Sequence, residues 1–197
     1  MSFKALSSSN LGHGITYHKP KSQKLNKLTP DDSAMDVMTD LKNVAAITIS
    51  QLESIDTANE KMKTKGVRML LVVDAHDIIT GIITSSDILG EKPMKYIQMN
   101  GGTHKDITVQ DIMTPDTAIE TLTIKEVSHA KIGDIVETLK RDGKQHALVI
   151  DNQGTANEVT VRGIFSISQI ARYLGLDIET HEVANTLAEI AHVIKNH

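Results

Sequence analysis

The apolar positions of the chain follow a pattern that occurs twice. From residue 55 to 66, and again from 132 to 143, apolar residues recur three to four positions apart and each series ends at a glycine. This spacing predicts an amphipathic helix, and the glycine predicts where the helix ends. The positions are Ile55, Ala58 and Met62 before Gly66, and Ile132, Ile135 and Leu139 before Gly143.

Apolar runs of strand length follow each predicted helix. Residues 69–74 and 146–151 are largely apolar, and each run ends at an Asp, which predicts a strand and a turn. Other blocks recur in the same order, so the chain is an internal repeat. They are Asp-Val-Met-Thr at 36–39 and Asp-Ile-Met-Thr at 111–114, short strands at 46–49 and 121–124, and strand-to-helix segments at 81–89 and 163–171.

The repeat predicts an α/β (α+β) fold of two βαββα units. Strands this apolar need cover on both faces, and the helices of one copy cannot supply it. We therefore expect the two copies to pack as a pseudo-two-fold pair. The predicted divisions are an N-terminal arm (1–33), a first repeat (34–90), a linker with a short helix near 94–99 (91–106), a second repeat (107–175) and a C-terminal helix (176–197).

The two ends of the chain differ from the repeats. The first thirty residues carry five lysines and no acidic residue, which predicts a flexible basic arm. The arm is either a solvated tail or a segment that clamps a partner subunit or touches nucleic acid. The last segment is an amphipathic helix whose apolar stripe packs on its own module or on a second subunit. The lysines are Lys4, Lys19, Lys21, Lys24 and Lys27, and the stripe is Val183, Leu187, Ile190, Ala191 and Ile194.

Composition narrows the possible functions. Aromatic residues make up 3% of the chain and the net charge is −4, which disfavours nucleic-acid binding by base stacking or by a broad basic surface. There is no Cys, so thiolate metal sites and Cys nucleophiles are excluded. No apolar run is long enough to span a membrane, and we expect a cytoplasmic protein.

One block carries residues suited to ligand chemistry. In Gly-x-x-Thr-x-x-Asp at 81–87, Thr84 and Asp87 lie where a strand runs into a helix. The free N–H groups and dipole of a helix start favour an anion, and the carboxylate can accept hydrogen bonds from two adjacent hydroxyls. The alternative is that Thr84 caps the helix and Asp87 complements its dipole.

These blocks resemble the cystathionine β-synthase (CBS) domain, and their tandem arrangement resembles a CBS pair over residues 34–175. The resemblance implies a non-catalytic regulatory module that binds an adenosine compound (AMP, ADP, ATP or S-adenosylmethionine) between the repeats. Binding would then be signalled to a partner by a conformational change. The alternative is a ligand-free dimerisation or interaction scaffold.

The resemblance also implies the site residues. A principal site would consist of Asp87, Thr84, Ile82, Arg68, Thr114, Ile119, Lys144 and His146. A weaker second site would consist of Ser166, Gln169, Thr39 and Ala46, because Gln169 replaces the acidic residue and brings no charge. Arg68 and Lys144 could instead be solvated charges, and His146 could be a half-buried structural residue.

Other chemistry finds no support in the sequence. The nine His residues lack the spacing of a metal site, and no nucleophile motif or phosphate-binding loop is present, so we expect neither a metal nor an enzyme. Apolar helices such as 132–139, together with the C-terminal stripe, predict a homodimer. The expected partners are therefore a small adenosine ligand, a second copy of the chain and an unidentified protein.

Overall fold

Each apolar strand run pairs with its neighbours into one of two mixed sheets. The computed structural model describes residues 28–152 and 159–176. In the first half, β1 (Thr39–Asp40), β2 (Thr48–Ser50), α1 (Ile55–Lys65), β3 (Met69–Val73), β4 (Ile79–Thr84), α2 (Ser85–Leu89) and α3 (Lys92–Asn100) follow one another. The second half contains α4 (Val109–Ile112), β5 (Thr114–Pro115), β6 (Thr121–Thr123), α5 (Ile124–Val127), α6 (Ile132–Arg141), β7 (His146–Asp151), β8 (Thr160–Ser166) and α7 (Ile167–Tyr173).

The central helix of each repeat begins and ends as its sequence predicts. Ser54 caps α1 by accepting a hydrogen bond from the Thr57 N–H at 3.0 Å, and Gly66 ends the helix at φ +65°. Gly143 follows α6 at φ +61°. Positive φ is the conformation that glycine adopts without steric cost, so these two glycines stop the helices and turn the chain into β3 and β7.

The two repeats exchange their edge strands. One sheet has the order β2-β3-β4-β5 and the other β1-β8-β7-β6. Thr114 of the second half pairs with Ile82 in β4, and Thr39 of the first half pairs with Ile164 in β8. The predicted βαββα unit therefore lacked one strand per sheet. The missing strands are two residues long, too short to show an alternating pattern.

The hydrophobic cores follow the same exchange. Ile107, Val109 and Ile112 pack in the core of the first sheet, and residues 34–38 pack in the core of the second. A third cluster, centred on Met69, Leu71 and Leu148, joins the two sheets. The two repeats therefore form one body, as the predicted pseudo-two-fold pair requires.

Segments predicted to lie outside the repeats contact them. The linker forms α3, which is longer than the predicted 94–99 helix and packs Tyr96 and Ile97 on the first core. At the end of the predicted arm, the Pro30 carbonyl accepts from the Gly133 N–H and the Asp32 carbonyl accepts from the Ile132 N–H, both at 2.9 Å. Residues 1–27 of the arm, and 177–197 of the predicted C-terminal helix, lie outside the described residues.

Helix α6 is covered by other parts of the same chain, including residues of the first repeat. Ile132, Ile135 and Leu139 are all buried in the second core. They therefore leave no exposed apolar face for a second subunit, and this part of the argument for a homodimer was wrong. The helical spacing predicted that these apolar residues share one face of the helix, but not which surface covers that face.

The exchanged strand β5 makes Gly81 harder to replace than its counterpart Gly163. A Cβ at Gly81 would lie 2.5 Å from the Thr114 carbonyl oxygen, whereas the three atoms nearest to a Cβ at Gly163 all belong to the Met38 side chain. We expect Gly81→Ala to lower the free energy of unfolding by about 1–3 kcal/mol, because backbone must move. Gly163→Ala should cost less, since Met38 is flexible. Urea unfolding of both variants tests this; equal losses would contradict it.

Candidate functional site

Two cavities lie between the sheets, one on each side of the pseudo-two-fold axis. We name them by one lining residue each: the Asp87 cavity, of about 290 Å³, and the Arg68 cavity, of about 500 Å³. Both are built from the same three parts. These are the strand-to-helix junction of one repeat, the strand start after the central helix of the other repeat, and the exchanged edge strand with the loop that follows it.

The Asp87 cavity gathers residues that are far apart in the sequence. Seven of the eight residues predicted for the principal site line it. The β4–α2 junction belongs to the first repeat, and the other contributions come from the second. The seven are Ile82, Thr84, Asp87, Thr114, Ile119, Lys144 and His146.

Arg68 is the predicted residue that the structure places elsewhere. It lines the opposite cavity, together with all four residues predicted for the second site. The reason is the crossed arrangement of the pair: the strand start of one repeat faces the helix start of the other. Arg68 precedes β3, so it faces α7 and not α2. The four second-site residues are Thr39, Ala46, Ser166 and Gln169.

Asp87 both caps α2 and faces the cavity. Its Oδ2 accepts from the Thr84 N–H at 2.8 Å and from the Thr84 hydroxyl at 2.7 Å, and Thr84 Oγ1 in turn accepts from the Asp87 N–H. Its Oδ1 lies 2.7 Å from Lys92 Nζ. The capping role that the sequence left open is therefore present. The carboxylate keeps lone pairs for a ligand only on Oδ1, because Oδ2 already accepts two bonds.

Two charged neighbours of this cavity were missed by sequence reasoning. Lys92 approaches Asp87 because α3 folds back on α2, and no pattern in the sequence predicts that turn. Glu120 lines the cavity and forms an ion pair with Lys144. Glu120 directly follows Ile119, which was predicted to contact the ligand, and this adjacency is the sequence signal for Glu120.

The uncharged polar side chains of the Arg68 cavity form hydrogen bonds with one another, in contrast to the charged Asp87 of the other cavity. The Gln169 Oε1 accepts from the Thr39 hydroxyl at 3.0 Å, across the exchanged strand pair. Ser166 and Ser168 lie 3.0 Å apart through their hydroxyl oxygens. Arg172 also lines the cavity. Thr39 comes from β1, Ser166, Ser168 and Gln169 from the β8–α7 junction, and Arg172 from the last turn of α7. The second repeat thus has the same architecture as the first, with different chemistry.

His146 lies in the wall between the two cavities and lines both. Burial and the nearby Arg68 guanidinium lower the pKa of His146 from 6.5 to about 4, and Asp87 opposes part of this shift. The imidazole is therefore neutral at pH 7. Its counterpart in the first repeat is Met69, which also lines both cavities.

A comparison with known families identifies the domain that the recurring sequence blocks resemble. Residues 34–93 match the model of the CBS domain. Residues 34–93 are therefore a CBS domain. The second CBS repeat lies outside the matched residues and is defined by the recurring sequence blocks and by the paired fold. No characterised protein sequence matches the chain.

Solved structures share the fold of the CBS pair. An uncharacterised conserved protein from Pyrococcus horikoshii is 20% identical at a TM-score of 0.54, covering 78% of this chain and 100% of its own. The CBS pair of protein MJ0100, in complex with 5'-methylthioadenosine and S-adenosyl-L-methionine, is 23% identical at 0.51, covering 74% and 98%. A CBS protein from Agrobacterium tumefaciens is 18% identical at 0.50, covering 68% and 88%. At these identities the likeness establishes the fold.

Two further observations concern the described part of the CBS pair. Within residues 28–152 and 159–176, no group of three or more His, Asp or Glu side chains is placed to hold a metal ion. None of the helices in those same ranges has the length and apolar character needed to cross a bilayer.

Proposed function

We propose that this CBS pair is a non-catalytic regulatory module that binds an adenosine compound between its repeats. One observation carries the proposal: seven residues chosen for such a site, drawn from both repeats, line a single cavity. The related pair of protein MJ0100 was solved with two adenosine compounds, which supports the same ligand class here. AMP, ADP, ATP and S-adenosylmethionine remain the candidate ligands.

The chemistry of the Asp87 cavity fits a nucleoside. Ile82 and Ile119 offer apolar contacts for the faces of a purine ring. Oδ1 of Asp87 can accept from a ribose hydroxyl, which gives a charge-assisted hydrogen bond. Sites of this kind combine mostly apolar walls with a few fixed polar groups.

Binding can act on a partner because the ligand touches both repeats. A ligand that prefers one arrangement of the repeats shifts the population toward it by its difference in affinity for the two states. The regulated protein would detect that change at an outer surface. The proposal includes a cytoplasmic location. It also includes a homodimer, since Leu89, Met94 and Met99 are more than half exposed and offer an apolar surface. A mass near the 21.5 kDa of one chain across micromolar concentrations would refute the dimer.

The first test is whether an adenosine compound stabilises the protein. A ligand present at 100 times its dissociation constant should raise the free energy of unfolding by about 2.7 kcal/mol. Thermal unfolding with adenosine, AMP, ADP, ATP and S-adenosylmethionine, followed by calorimetry of the compounds that shift the midpoint, measures it. If none of them binds, the chain is the ligand-free scaffold that the sequence left as the alternative.

Asp87→Ala should weaken the binding of adenosine by roughly 10- to 150-fold, since a hydrogen bond to a charged group contributes about 1.5–3 kcal/mol. The variant also loses its capping box, so it needs a matched control. Asp111 forms the same box with Thr108, through bonds of 2.7 Å, and lines neither cavity. Asp111→Ala should lose stability but keep its affinity. Equal affinity in both variants would remove Asp87 from the site.

A further inference from the structure

We propose that the two cavities bind different classes of adenosine compound. The Arg68 cavity binds a nucleotide through its phosphate, and the Asp87 cavity binds a nucleoside that carries no phosphate. The inference rests on the proposed function and assigns a ligand class to each half of it.

The two cavities differ in charge at equivalent positions of the repeats. At three of these positions the residue of the Arg68 cavity carries one more unit of positive charge than the equivalent residue of the Asp87 cavity. Each of these three differences makes the Arg68 cavity more positive. The pairs, with the residue of the Arg68 cavity first, are Arg68 and Gln145, Ala45 and Glu120, and Gln169 and Asp87. A fourth pair, Val67 and Lys144, differs in the opposite sense, but Lys144 forms an ion pair with Glu120 of the same cavity.

The Arg68 cavity presents positive charge only. Arg68 and Arg172 line it, and among the described residues no Asp or Glu does. A guanidinium presents several N–H donors in a planar fork, so it can bind a phosphate through two hydrogen bonds and keep its charge at any physiological pH. Ser166 and Ser168 add hydroxyl donors at the start of α7. The cavity therefore offers a phosphate both charge and hydrogen bonds.

The Asp87 cavity opposes a phosphate. Asp87 and Glu120 line it, and the two nearest lysines already form ion pairs with them: Lys92 with Asp87 and Lys144 with Glu120. An entering phosphate would face both carboxylates, and it could recruit a lysine only by separating it from its partner. A neutral nucleoside meets no such repulsion, and its hydroxyls donate to the same carboxylates.

The sizes of the cavities agree with this assignment. Cavities that enclose small ligands measure roughly 300–1,000 Å³. The Asp87 cavity, at about 290 Å³, lies just below this range, and the Arg68 cavity lies within it at about 500 Å³. The larger ligand of the two, the one that carries the phosphate, is thus matched to the larger cavity.

Calorimetry with adenosine and AMP tests the inference on the full chain. Each compound should bind at one equivalent per chain, and saturating adenosine should leave AMP binding in place. Arg68→Gln installs the residue found at the equivalent position. It should weaken AMP about 10-fold or more and leave adenosine within a factor of about two, because only AMP loses a charged hydrogen bond.

Arg141→Gln is the matched control. It removes the same charge from an exposed residue that pairs with Asp142 and lines neither cavity. AMP and adenosine should both bind this variant as they bind the wild type. A loss of AMP affinity as large as that of Arg68→Gln would mean that overall charge, and not the cavity, determines phosphate binding, which overturns the inference.

Glu120→Gln should open the Asp87 cavity to phosphate. The substitution removes one carboxylate and releases Lys144 from its ion pair, and Glu120 is exposed enough for the change to leave the fold intact. A second equivalent of AMP should then bind. If neither compound binds the wild type, the proposed function itself fails. If AMP and adenosine compete for one cavity, or Arg68→Gln weakens both equally, the division of ligands is wrong and the proposed function stands.

Discussion

Phe165→Ala should lower the free energy of unfolding by about 3–5 kcal/mol, the largest loss we expect from a single substitution. Among the described residues, Phe165 is the largest fully buried side chain, and it packs in the core of the second sheet. It lies in β8, which pairs with β7 on one side and with the exchanged strand β1 on the other. Truncation would therefore leave a cavity where both halves of the chain meet.

Urea unfolding followed by circular dichroism measures this loss. A domain of this kind is stable by about 5–15 kcal/mol, so the variant should unfold at a clearly lower urea concentration. Phe165→Ile is the control, because the equivalent position of the first repeat is Ile83, which is also fully buried. The control should lose less. A loss below about 1 kcal/mol for Phe165→Ala would show that the core collapses around the missing ring.

Acid should destabilise the protein through His146. The folded pKa of His146 is about 4, and its ordinary value is 6.5. Between these values the unfolded chain binds more protons than the folded chain, so the stability rises with pH in this window and falls as the pH drops from 6.5 toward 4. The full difference is on the order of 3 kcal/mol, because one pKa unit corresponds to about 1.4 kcal/mol.

The measurement is the free energy of unfolding at a series of pH values for the wild type and for His146→Met. Methionine is chosen because Met69 occupies the equivalent position of the first repeat, where it lines the same two cavities. Carboxylates titrate at low pH in both proteins, and the difference between the two curves isolates the imidazole. Parallel curves from pH 7 to pH 4 would show that His146 titrates normally.

The sequence predicted the helices and strands best where a pattern extends over many residues. Helices α1 and α6 have apolar residues at helical spacing over three turns and a glycine at the end, so both were predicted within a residue or two. β3 and β7 are continuous apolar runs and were equally clear. The two-residue strands β1 and β5 carry no period of their own and become strands only by pairing with the opposite repeat.

The residues predicted for the two sites all line a cavity, but the sequence did not predict which of them share one. The strand-to-helix motif predicted that Thr84 and Asp87 lie at a helix start, and they do, because local sequence determines where a helix begins. Arg68 was assigned to the wrong cavity, since only the crossed packing of the sheets decides which helix start it faces. Lys92 was missed for a similar reason: its contact with Asp87 depends on the turn between α2 and α3.

The exchanged edge strands bear on how two unlike cavities can arise. Two identical chains of one repeat each, joined by swapping an edge strand, would form a symmetric dimer in which every substitution appears in both cavities at once. Once the halves are fused in one chain, each position is encoded separately. Arg68 and Gln145 can then diverge while the strand exchange that holds the halves together is retained. Duplication and fusion thus allow the two cavities of one chain to become chemically different, which a symmetric dimer of single repeats cannot do.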